Sequence, residues 1–226
     1  MSESRSIEKL MEDIGRTVSF RSPSQREPIP CAECDDITTG HHICEKCRHK
    51  SIKRHAVLNS IPERYRWASL DEPLMATRIR GWSAIREQLE SIDVGAQNIV
   101  LTGPAGSGKS SVLSALMNAH SERDVRWISA YKLAITRAHH DLGDESALER
   151  QAKSCRVLAL DDLGNDRRTQ LSAIDDVILD RYDSQRVMWV TTSLSGIEIT
   201  KRYGDGIARR IFEQAVTIKI LSKTSP

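Results

Sequence analysis

The run GPAGSGKS at residues 103–110 has the residue types and the spacing that hold a phosphate chain. Gly103, Pro104, Ala105, Gly106, Ser107 and Gly108 form a glycine-rich turn. Successive backbone N–H groups can curl there around phosphate oxygens where a side chain would collide. Lys109 can reach the β- and γ-phosphates, the Ser110 hydroxyl can hold Mg²⁺, and Ser111 closes the set on the following helix. The apolar run Ile99-Val100-Leu101 before the turn reads as a buried strand, and residues 109–120 read as a helix. Strand, glycine loop and helix in that order make a P-loop, so a nucleoside triphosphate, expected to be ATP, with Mg²⁺ is the predicted ligand.

A second set of acids fits the same chemistry. VLALDD at 157–162 is an apolar strand ending in two carboxylates. Asp161 suits the position that coordinates Mg²⁺, and Asp162 the one that orients or deprotonates the attacking water. Asp162 is one methylene shorter than the Glu usual there in energetic ATPases, which predicts slow turnover. Thr191-Thr192-Ser193 end a later strand; they are either a polar sensor of the γ-phosphate or β-branched residues finishing a strand. Arg209 and Arg210 lie on a predicted helix, either as a solvated pair or as a fork of donors for charge developing on a transferring phosphoryl group.

Four of the five cysteines form two CxxC pairs, Cys31/Cys34 and Cys44/Cys47. Two such knuckles suit a closed tetrahedral Zn²⁺ site, structural because four thiolates leave no open position. The intervening residues allow a tight hairpin through Thr39-Gly40. His41 and His42 can in principle replace a thiolate, or are solvated surface residues. Seven Lys/Arg against one Glu follow between Lys46 and Arg66, with Tyr65 and Trp67 available to stack on bases. That stretch is a candidate single-stranded DNA surface or simply a solvated face.

The elements that must position these groups alternate. Helices are expected at 80–92, 109–120, 130–140 and 172–183, and strands at 99–101, 125–129, 156–160, 187–192 and 216–221. That order predicts a parallel five-stranded sheet with helices on both faces. At residues 6–14, Ile7, Leu10, Met11 and Ile14 share one helical face, which docks either on the chain's own domain or on a partner. Residues 16–30 read as a polar linker punctuated by Pro23, Pro28 and Pro30. The expected division is 1–30 for helix and linker, 31–60 for the zinc-binding segment and basic stretch, and 61–226 for the ATPase domain.

Composition sets the outer bounds. A hydrophobic share of 39% with 28% charged residues suits a solvated protein with a real core. No apolar run approaches the roughly 18 residues of a membrane span, and MSESRSIEKL lacks an apolar signal region, so a cytoplasmic protein with no membrane partner is expected. The net charge of +2 implies no acidic partner by itself.

With these pieces in order the chain resembles the DnaC/DnaI-type replicative helicase loaders and the closely similar IstB transposition ATPases, within the AAA+ class. The matching segments are IPERYRWASL at 61–70, GPAGSGKS at 103–110, LALDDLG at 158–164, DRYDSQRVMWVTTSLS at 180–195 and RYGDGIARRIFE at 202–213. The resemblance implies an AAA+ P-loop ATPase that self-associates through its nucleotide site, binds single-stranded DNA and acts on a hexameric replicative DNA helicase. It implies that Thr192 and Ser193 occupy the sensor-1 region and that Arg210, with Arg209 adjacent, is an arginine finger. Two departures stand out: Ser193 replaces the common sensor Asn, and too few residues follow the fifth strand for a helical lid, which these loaders also lack. An IstB-like transposition ATPase, a non-hydrolysing ATP-binding adaptor and a small-molecule phosphotransferase are the other readings.

Overall fold

The computed structural model describes residues 28–34, 36–39, 41–136, 145–166 and 173–222. The expected helix at 6–14 lies outside them. The chain divides into two compact units, one up to Ser51 and one from Ile52 onward.

In the first unit, β1 (Pro28–Pro30) pairs antiparallel with β2 (Ile37–Thr39), in register Pro28↔Thr39 and Pro30↔Ile37. The turn between them holds Cys31 and Cys34. The hairpin turns at the first CxxC, while the turn expected at Thr39-Gly40 includes Gly40, which lies outside the described residues; prolines that read as linker punctuation begin and end a strand. Proline tolerates such a place because a short edge strand leaves its missing N–H unneeded. Helix α1 (Glu45–Ser60) starts in this unit beside Cys44, contains Cys47 and continues beyond Ser51 through most of the basic stretch.

The second unit is built on a parallel sheet of five strands. They are β3 (Asn98–Thr102), β4 (Val125–Ser129), β5 (Val157–Leu163), β6 (Val187–Thr192) and β7 (Ala215–Lys219). Their order across the sheet is β4-β5-β6-β3-β7, all in parallel pairs. Every residue of β6 is buried, the apolar run that a sheet covered on both faces demands.

Strand alternation sorts the side chains into two cores. Ile99, Leu101, Trp127, Ala159 and Trp189 point to the face packed by α2 (Pro73–Arg78), α3 (Trp82–Ser91) and α4 (Lys109–Ala119). Val100, Ile128, Leu158, Leu160 and Val190 point to the other. That face is covered by α5 (Ala130–Ile135), α6 (Ala147–Ser154), α7 (Ala173–Asp183), α8 (Gly196–Tyr203) and α9 (Asp205–Phe212). The predicted helix at 130–140 is described as far as Ile135.

The segment at 61–70 anchors the P-loop helix. Ser114 donates to the Tyr65 carbonyl at 2.7 Å and Asn118 to the Ala68 carbonyl at 2.6 Å, while Tyr65 stacks on Trp127 with ring centroids 5.6 Å apart. Among the described residues no helix is long and apolar enough to cross a membrane.

Candidate functional site

The C-terminal ends of β3, β5 and β6 are adjacent in the sheet, the edge where open α/β sheets bind ligands. After Thr102 the chain turns at Gly103, whose φ of +150° L-residues rarely adopt. A Cβ there would overlap the Ile220 carbonyl oxygen, held just past β7 by the Ile220 N–H bond to Thr102 at 2.7 Å. Pro104, Ala105 and Gly106 form the exposed crest of the loop. Gly108, at φ +97°, caps α4, and a Cβ on it would overlap the Ile79 side chain. Gly103→Ala must displace backbone and not a flexible side chain. We expect it to lower nucleotide affinity at least tenfold, as read by titration with a fluorescent ATP analogue, while leaving far-UV circular dichroism unchanged.

Lys109 is buried and its ammonium is fully engaged: it donates to the Gly103 carbonyl at 2.8 Å, the Pro104 carbonyl at 2.9 Å and Ser193 Oγ at 3.0 Å. Burial pulls its pKa below the ordinary lysine value, against the charges of Asp162 and Asp161. Ser110 donates to Asp161 Oδ1 at 2.9 Å, and Thr191 donates to the same oxygen at 2.8 Å. Burial pushes the Asp161 carboxyl above the usual carboxylate range, and those two hydroxyls work against that shift. A buried acid flanked by a P-loop hydroxyl is the donor set that a hard divalent cation takes. Ser107 Oγ, also buried, has no hydrogen-bond partner among the described residues. An orphaned hydroxyl inside a loop of backbone N–H groups fits a site made for an anion.

Asp162 sits at a bulge in β5, where the register against β6 slips between Leu160 and Leu163. Its φ is +63°, a left-handed conformation unusual for a side-chain-bearing residue. Three bonds hold it: its N–H donates to Thr191 Oγ1 at 2.8 Å, its carboxylate accepts from Asn165 Nδ2 at 2.9 Å, and its carbonyl accepts from the Asn165 N–H at 3.2 Å. Thr191 thus ties both acids to β6 with one hydroxyl. The sequence placed it only at a polar strand end; its pairing to Leu101 across β3 and β6 puts it one strand from the P-loop. Thr192 has a different job, donating to the Leu163 carbonyl at 2.7 Å and accepting from the Leu194 N–H at 3.1 Å. Ser111 is half-buried on the first turn of α4.

The arginine pair is not brought to this cluster. Arg210 Nη1 donates to the Gly206 carbonyl at 3.0 Å and its guanidinium lies 5.0 Å from the Tyr182 ring centre. Arg209 is exposed, with Nε 3.8 Å from Glu213. None of these contacts reaches Lys109 or Asp161.

In the first unit the sulfurs of Cys31, Cys34, Cys44 and Cys47 all lie within 4.8 Å of one another. Tetrahedral Zn–S bonds of about 2.3 Å require sulfurs roughly 3.8 Å apart, and Cys34 and Cys44 stand at 3.6 Å. N–H groups already point at the sulfurs, from Cys44 to Cys31 at 3.2 Å and from Cys47 to Cys44 at 3.4 Å. The Cys44 and Glu33 N–H bonds hold the Cys31 thiol at about 6, well below an ordinary thiol. Such N–H bonds to sulfur favour the thiolate that a metal needs. His41 and His42 are exposed and stand outside the cluster.

A model of the family of IstB-like ATP binding proteins matches residues 74–217. Among solved structures the chain is similar to the DnaC helicase loader, at 22% identity and a TM-score of 0.57, over 70% of this chain and 99% of that one. It is similar to DnaI at 22% identity and a TM-score of 0.53, over 70% and 94%. It is also similar to AMPPCP-bound DnaA from Aquifex aeolicus at 21% identity and a TM-score of 0.52, over 71% and 51%. No curated protein sequence matches it.

Proposed function

We propose, for a chain that belongs to the family of IstB-like ATP binding proteins, that it is an ATP-dependent helicase loader whose nucleotide site switches its assembly on DNA. The observation that supports this best is the meeting of Lys109, Ser193, Ser110, Asp161 and Thr191 at the ends of three adjacent strands.

In this reading the loop 103–108 and the N-terminus of α4 hold the phosphates. Lys109 exchanges the Gly103 and Pro104 carbonyls for phosphate oxygens, and Ser110 with Asp161 would hold Mg²⁺, which would supply charge neutralisation at the reacting phosphoryl group. Asp162, fixed by Thr191 and Asn165, orients the attacking water. Ser193 is placed through Lys109 to sense the γ-phosphate. Arg210, remote from its own site, serves a neighbouring subunit, and turnover is slow until subunits or single-stranded DNA complete the site. The division into 1–30, 31–60 and 61–226 follows from the same reading, with the N-terminal segments gripping a hexameric replicative helicase in the cytoplasm.

The test is an affinity pull-down with ATP and with ADP, alongside ATPase assays with and without single-stranded DNA. Recovery of a replicative helicase with DNA-stimulated hydrolysis supports the loader. Recovery of a transposase with a preference for duplex DNA supports the second reading, an IstB-like transposition ATPase, with which a model of IstB-like ATP binding proteins is equally consistent. Tight ATP binding with no hydrolysis would leave an adaptor, a reading that Ser193 in place of the common sensor Asn keeps in play.

The cysteine cluster is assigned to one structural Zn²⁺. We expect one zinc per chain by elemental analysis, and its loss in Cys31→Ser. A unit this small has little apolar core, so losing the staple should abolish helicase pull-down while ATP binding by the second unit persists.

A further inference from the structure

Just past the acidic strand end lies a buried charge that the nucleotide chemistry does not use. Asp166 has a side chain that is 0% exposed. Its Oδ1 accepts from the Tyr203 hydroxyl and, at 3.2 Å, from the Gly164 N–H. Its Oδ2 has no hydrogen bond among the described residues and is balanced by the Arg202 guanidinium at 3.7 Å. Arg202 also donates to the Asp166 backbone carbonyl. Burying a carboxylate costs several kcal/mol in general, so a site that keeps one is held together by the partners that compensate it.

The partners lie on two different parts of the site. On one side the loop Gly164–Asn165–Asp166 follows the end of β5 at Leu163, the residue after Asp162, and Asn165 holds the Asp162 carboxylate. The same loop abuts the residue after Ser193, since a Cβ on Gly164 would stand 2.6 Å from Leu194. On the other side, Arg202 and Tyr203 are the last residues of α8, and Gly204 follows at φ +85° with nothing crowding its Cβ position. That open joint leads into α9, which buries Ile207, Ala208 and Ile211, exposes Arg209 and leaves Arg210 half-buried against Tyr182. The clasp therefore joins the loop that holds the catalytic acid to the corner from which the arginine helix starts.

We propose that Asp166, Arg202 and Tyr203 form a mechanical coupling through which the nucleotide state of a subunit sets the position of its own Arg209–Arg210 helix, and so its ability to complete a neighbour's site. This rests on the proposed action of Arg210 on a neighbouring subunit. Asp166 is a positioning residue in this scheme, not a catalytic one.

The experiment mixes two inactive variants. Arg210→Ala keeps its own site and gives no finger; Asp162→Asn binds ATP without hydrolysing it and gives a finger. Their mixture should hydrolyse ATP at least tenfold faster than either alone. Adding Asp166→Asn to the finger donor should remove at least four-fifths of that gain, whereas ATP affinity of the donor, by fluorescent-analogue titration, stays within twofold. Tyr203→Phe, which removes one hydrogen bond and little volume, should give a smaller loss in the same assay and serves if Asp166→Asn folds poorly.

Full gain with the Asp166→Asn donor overturns the coupling. So does a loss of donor ATP affinity beyond about fivefold, which would make Asp166 part of the binding site. No gain even with the unmodified donor overturns the trans action of Arg210 and the coupling with it, and that failure is distinguishable because it precedes any change at Asp166.

Discussion

Asp161→Asn is expected to lower ATP hydrolysis at least about 100-fold, the scale seen when one electrostatic partner of a reacting centre is removed, and yet to leave a nucleotide-free protein that is more heat-stable at neutral pH. Both effects have one cause. Asp161 is buried and its carboxyl is raised above the usual range by desolvation. A raised folded-state value means that the fold binds this proton more tightly than the unfolded chain does. The group therefore favours folding at low pH, below the unfolded carboxyl value, and loses that contribution as the pH rises through the folded one. As the pH rises through that raised value the ionising acid increasingly penalises the empty fold, a cost that a bound cation would offset. Asparagine retains an acceptor for the Ser110 and Thr191 hydroxyls and has no charge to bury. Thermal melts without nucleotide should show the variant ahead at pH 8 and the two proteins converging toward pH 4, while Mg-ATP should stabilise only the wild type strongly. A variant less stable than wild type across that range would remove the argument.

Arg181→Ala is expected to cost about 4 kcal/mol, the cost typical of breaking a buried charged network, and to lower the melting temperature by roughly 10 °C. Arg181 is fully buried on α7. Its guanidinium donates to the carbonyls of Ala152 at 2.7 Å, Lys153 at 3.2 Å, Cys155 at 2.9 Å, Arg156 at 3.2 Å and Val187 at 2.6 Å. It thus satisfies the end of α6, the entry to β5 and the start of β6 together. Burial lowers its pKa, but no other side chain offers donors in so wide a planar fork. Arg181→Lys should recover only part of the loss because one ammonium cannot face five carbonyls from one place. Urea titrations of the three proteins check the order wild type, Lys, Ala.

The P-loop was legible because it is local: strand, glycines, lysine and helix follow one another in the chain. Strands β4 and β6 fall where their apolar runs end, and the parallel order follows from alternation with helices. The cysteine pairs were legible for the same local reason. What was hidden depends on partners far away in sequence. Thr191 is an ordinary strand threonine until β6 lies beside β5 and β3. Arg181 reads as one more surface charge in DRYDSQR, since nothing nearby reveals five carbonyls waiting for it. Helix α1 escaped because of its buried residues: Cys47 sits in the cysteine cluster and Val57 packs on the main core, so no apolar stripe marks the basic stretch as helical. The helix expected around Arg209 and Arg210 is a pair joined at Gly204, a break that only the left-handed φ discloses.

The strand order β4-β5-β6-β3-β7 also bears on how the protein is made. Lys109 meets Ser193 across 84 residues and Ser110 meets Asp161 across 51. Contacts of such long span form late, after the loops between them have been closed. β3 cannot flank its partners in the sheet until β6 and β7, the last strands among the described residues, have been synthesised. A growing chain that already carries its whole glycine loop thus has no site, and nucleotide can stabilise only molecules whose sheet is complete. At a ligand concentration 100 times the dissociation constant that bias is about 2.7 kcal/mol, enough to make ATP a ligand of refolding.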